Sequence, residues 1–148
     1  MKVDDLHVAY LRAQIAGEQA TMLQVLGQLT GANALEPLVP LVHGSFVIAV
    51  RKWFGHSFTH AQVIKLVAHA RALFSEQPEL IDPLIAESEI RRALGENVPP
   101  SPDPNARGTV QLAVLDYLVR ALDLNDQAIE DFLKEAGSAA NDALGRVT

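Results

Sequence analysis

Apolar residues recur at alternating three- and four-residue steps through most of this chain, a period that fits one face of an α-helix and not a strand. Val8, Leu11, Ile15, Met22, Val25 and Leu29 keep that step across 4–29, with Glu18 at the one skipped place. The pattern predicts a long first helix, with Asp4 or Asp5 suited to its start and Gly31 to its end. A second face carries Ala13, Ala16, Gly17 and Ala20, small enough for another helix to approach closely. Because a heptad-like seam also suits self-association, Leu11, Ile15, Met22 and Val25 form a candidate homodimer interface.

Start and stop signals divide the rest. Thr59-His60-Ala61-Gln62 has capping-box spacing, and Val63, Leu66, Val67 and Ala70 supply the stripe that follows. Asp82-Pro83 offers an N-cap followed by the proline favoured at the first helical position, opening a helix through Ile85 and Ile90 to Gly95. Pro99, Pro100, Pro102 and Pro104 make 96–108 an expected exposed crossover loop, since proline removes a donor and clashes with the preceding turn. Thr109 is expected to cap the next helix and Asn125 the last, with 145–148 fraying. Over 36–55 the run Phe46-Val47-Ile48-Ala49-Val50 has β-branched content, and a hairpin around His43-Gly44 is the competing reading. Pro37, Pro40, the Arg51-Lys52 pair and Gly55 favour a buried helix there instead. A weak repeat at offsets of 48–50 aligns Thr59 with Thr109 and Ala93-Leu94-Gly95 with Ala143-Leu144-Gly145. The expectation is an all-α, single-domain bundle of about six helices: the long N-terminal helix plus two helical hairpins joined by the proline-rich crossover. A length of 148 residues suits one core.

Charge is unevenly spread. The net charge is −6, yet 37–75 contains no acidic residue and carries Arg51, Lys52, Lys65 and Arg71 with four histidines. That middle is the apolar heart of the fold or a basic surface for an anionic partner. The absence of cysteine removes disulfide scaffolds, thiol catalysis and cysteine zinc sites. The opening Met1-Lys2-Val3-Asp4-Asp5 has no apolar leader, and no apolar run is long enough for a membrane span, so a cytoplasmic protein with no membrane contact is expected.

No phosphate-binding glycine loop, His-Glu-x-x-His pair or nucleophile elbow is present, so no catalytic residue and no cofactor are expected. His56 and His60 have i,i+4 spacing, but the Thr59 cap sets them across a helix boundary with no acidic residue nearby in sequence, so no metal site is expected. Glu87 and Glu89, two apart, point in different directions and read as solvated surface groups. Arg91-Arg92 after the Pro83 turn resembles part of a helix-turn-helix, but 75–82 is too long for that turn, which makes nucleic acid an unfavoured partner. Trp53-Phe54-Gly55-His56-Ser57-Phe58 places three of the chain's eight aromatics at a turn. With Arg51 and Lys52 they either close the core or form a partner-binding patch: Arg51, Lys52, Trp53, Phe54 and Phe58. The function expected is a non-catalytic, self-associating helical interaction or regulatory module with a protein partner; a nucleic-acid-binding regulator and a small-ligand carrier are the alternatives.

Overall fold

The computed structural model describes residues 2–147 and is all helical. Among the described residues there are seven α-helices, α1 (Asp5–Ala16), α2 (Gln19–Gln28), α3 (Leu38–Phe54), α4 (His60–Leu73), α5 (Pro83–Ala93), α6 (Pro104–Leu122) and α7 (Asp126–Val147), with a 3-10 turn at Pro78–Leu80 and no strand.

The expected long first helix is two helices. Gly17 adopts the left-handed conformation (φ 73°), its N–H donates to the Gln14 carbonyl, and the Glu18 N–H reaches the Ala13 carbonyl. This paired closure ends α1, and glycine enters it without a Cβ penalty. Gly95 closes α5 in the same way, with Glu96 N–H bonded to the Arg91 carbonyl. The crossover is shorter than expected, because α6 begins at Pro104 and not near Thr109. The Asp103 carboxylate accepts the backbone N–H groups of Asn105 and Ala106 at 3.0 and 3.2 Å. Proline at the first helical position costs no hydrogen bond, so the last of the four prolines starts a helix that the first three cannot enter. The stretch read as helix or hairpin is the single helix α3. α7 continues through Gly145 to Val147 where fraying was expected, and Thr148 lies outside the described residues.

The chain forms two compact units. Unit 1 comprises 1–45 and 124–148. In it α1 packs on α2 and on α7, with Leu11, Ile15, Val25, Leu41, Phe132 and Leu133 buried. The two stretches are tied by Asn141, whose side chain accepts the Val3 N–H at 2.8 Å and donates to the Val3 carbonyl, and by the two-pronged Arg12–Glu130 pair at 2.7 and 2.8 Å. At the start of α1, Asp4 N–H donates to His7 Nδ1, and the other ring nitrogen of His7 meets the Ala34 carbonyl at 2.8 Å. The Asp4 N–H therefore requires an unprotonated Nδ1, so Nε2 carries the hydrogen.

Unit 2 is the continuous stretch 46–123, in which α4, α5 and α6 pack pairwise. Phe46, Val50, Val63, Ile81, Ile90, Leu115 and Leu118 are fully buried there. Two of the three caps expected in this stretch hold: Thr59 and Gln62 form the reciprocal box at α4, and Asp82 caps α5 through Leu84 and Ile85 N–H, while Asp103 takes the place expected of Thr109 at α6. The repeat does not carry into the fold, since α6 and α7 fall in different units and Thr109 lies inside α6.

Candidate functional site

The end of α3 is set by local sequence. Gly55 N–H closes on the Arg51 carbonyl, the chain turns through Ser57, and Thr59 caps α4. Phe54 and Phe58 flank this turn and meet edge to face, centroids 6.2 Å apart, both half-buried. Arg51 is exposed but donates through Nε to the Ala93 carbonyl at 3.0 Å, a cation on the last carbonyls of α5. Of the five expected partner-binding residues, Trp53 and Phe54 line a groove, while Arg51, Lys52 and Phe58 do not.

That groove, about 440 Å³, lies between the end of α3, one face of α4 and Tyr117 of α6. Gln62, Lys65, Leu66 and His69 come from α4 at three- and four-residue spacing, so a single helix face presents them together. Trp53 remains 40% exposed at the groove. No Asp or Glu lines it. Among the described residues, neither Lys65 nor His69 has a hydrogen-bond or ion-pair partner. From sequence, Lys65 and His69 belong to the basic 37–75 stretch but not to the five-residue partner patch, and Tyr117 belongs to neither. The α4 spacing signalled the first two; nothing local signals Tyr117.

A larger cleft in unit 1, about 560 Å³, runs past Asp4, His7, Asn33 and Ala34. Its best recognition group, the His7 ring, is already committed on both nitrogens to the backbone.

The acidic residues read as solvated fare differently from one another. Glu87 receives His60, Nε2 to Oε1 2.7 Å, so an acidic neighbour absent from the local sequence arrives from α5. Among the described residues no three His, Asp or Glu side chains gather as metal ligands. Glu89, expected at the surface, is 2% exposed. Its carboxylate accepts from Gln111 Nε2 at 2.7 Å, Arg92 Nη1 at 3.1 Å and Arg107 Nε at 3.2 Å. Burial alone would push this carboxyl up. The Gln111 hydrogen bond, the Arg107 charge and the two arginine hydrogen bonds outweigh it and hold the carboxyl below its ordinary value. At Asp116 the balance is reversed: burial raises the carboxyl above its ordinary value despite Arg120 at 3.1 Å. Arg91 is paired with Glu96, so both arginines of the sequence-read DNA motif are engaged within the chain.

The candidate homodimer residues do not form a surface seam. Leu11 is fully buried, Ile15 and Val25 are each 8% exposed, and Met22 is half-buried. Comparison of the chain with protein-family models, with curated proteins and with solved structures finds no match. Among the described residues no helix is long and apolar enough to cross a membrane.

Proposed function

We propose that this chain is a non-catalytic helical interaction module of the cytoplasm that holds a protein partner in the groove between the end of α3 and α4. The observation that carries the reading is Trp53, kept 40% exposed beside a groove whose lining contains a lysine and no carboxylate. An indole beside a recess, with polar groups around it, is the arrangement that concentrates binding energy in protein interfaces. The contact is assigned to this groove and not to the α1–α2 seam, because Leu11, Ile15 and Val25 are spent in the core.

Affinity capture from native cytoplasm with the parent chain and with Trp53→Ala tests the reading, with thermal melting of both as the control for folding. The expected result is a partner retained by the parent and lost by a variant that melts within about 2 °C of it, since surface substitutions usually change stability by under about 0.5 kcal/mol. Equal capture by both proteins, or capture of duplex DNA in place of protein, overturns it.

A further inference from the structure

We infer that the groove selects an acidic peptide segment bearing an aromatic or aliphatic side chain next to a carboxylate; the inference rests on the groove being the partner surface. Its lining divides into two chemistries. Trp53, Phe54 and Leu66 offer an apolar floor for one side chain. Lys65 and His69, one turn apart on α4, stand beside that floor with no hydrogen-bond or ion-pair partner among the described residues. No acidic residue lies anywhere in 37–75, so an approaching carboxylate meets no like charge from α3 or α4. On α6, Asp116 adjoins Tyr117 in sequence, but its side chain is 11% exposed and held by Arg120. An apolar anchor alone would leave an unpaired ammonium at the edge of the contact, and a basic segment would be repelled, so charge complementarity selects the acidic one. A nucleic acid backbone fits less well, because phosphate binding gains strength from many cations and this groove supplies one lysine. The volume, about 440 Å³, accommodates one or two side chains of an extended peptide.

Trp53 is the chain's one tryptophan, so its emission reports this groove. The probes are short acetylated and amidated peptides with a central Phe-Leu pair flanked by Asp and Glu, by Ser and Gln, or by Lys. Phenylacetate serves as a small anion of the same chemistry. Expected is a saturable change in Trp53 emission with the acidic peptide, tightest of the four probes and weakened as salt rises from about 0.05 to 0.3 M. Lys65→Glu should weaken it about fivefold or more, Lys65→Gln less, and Arg71→Glu, which leaves the groove lining unchanged, least. Lys65 is exposed, and circular dichroism verifies that its variants remain folded. Equal binding of the Ser/Gln peptide overturns the acidic specificity while the groove stands as a contact surface. Phenylacetate binding as tightly as the peptide reassigns the groove to small anions and overturns the inference. No emission change with any peptide also overturns it, and the capture comparison with Trp53→Ala then decides separately whether the surface binds a protein at all.

Discussion

Glu89→Ala is the perturbation that most directly tests how unit 2 is held together. The residue is 2% exposed and its carboxylate takes three donors, two from α6 and one from its own helix α5. A hydrogen bond to a charged group contributes about 1.5–3 kcal/mol, but three that share one carboxylate do not add. Arg92 and Arg107 keep 32% and 26% of their side chains in water and rehydrate when the carboxylate goes. Gln111, 5% exposed, loses its 2.7 Å hydrogen bond to the carboxylate in a place water enters poorly, a bond to a charged group contributing about 1.5–3 kcal/mol. Adding the small cavity left by the side chain, the expected loss is about 3 kcal/mol, or roughly 10 °C in Tm for a chain of this size. Glu89→Gln keeps the shape and should lose less. The folded carboxyl lies below its ordinary value, so its contribution is present above the usual carboxylate range and disappears as pH falls through the lowered value. Calorimetric melts of parent and Glu89→Gln across acidic pH should therefore converge at the acid end. The reasoning is refuted if Glu89→Ala melts no lower than Arg12→Ala, which removes an exposed pair on unit 1.

Asp116→Asn should act in the opposite sense. Burial raises that carboxyl, so its proton favours the fold at low pH and the charged form costs stability as pH rises through the raised value; the Asn variant should gain on the parent toward neutral pH in the same melts. Gly17→Ala, at φ 73°, should cost about 1 kcal/mol by chemical denaturation, whereas a gain in stability would mean that α1 and α2 prefer to be one helix. Ile15→Lys should unfold unit 1 by burying an unpaired ammonium, while Met22→Lys, half-buried, should remain folded; light scattering that shows both as folded monomers derived from a parent dimer would restore the seam as an interface.

Much of this architecture is readable without coordinates, because helix starts are local chemistry. Thr59, Asp82 and Asn125 each cap the helix that their side-chain chemistry and spacing announce. Asp103-Pro104 repeats the Asp82-Pro83 signal, but three nearby prolines mask it. Gly17 looks like one more small residue on a helical face, since sequence spacing does not reveal that its backbone turns left-handed. Glu89 deceives for a different reason. Its partners Arg107 and Gln111 stand 18 and 22 residues away, and only the packing of α5 on α6 turns a nominal surface carboxylate into a buried one. At the groove the aromatic cluster pointed to Trp53 and Phe54, while Tyr117 arrives through tertiary structure alone.

The division of the chain also sets an order in which its parts can mature. Unit 2 is uninterrupted, so all of its core residues have been synthesised once Asp123 has been added. Unit 1 must wait. Its α1 packs on α7, and the side chain that clasps Val3 belongs to Asn141, 138 positions later. Until then α1 has α2 to pack against but not α7, so part of the burial that unit 1 gives it comes only with the last helix. A circular permutant that links the two ends and opens the chain in the 96–103 crossover would make the stretches of unit 1 neighbours in sequence and divide unit 2 instead, reversing which unit closes first.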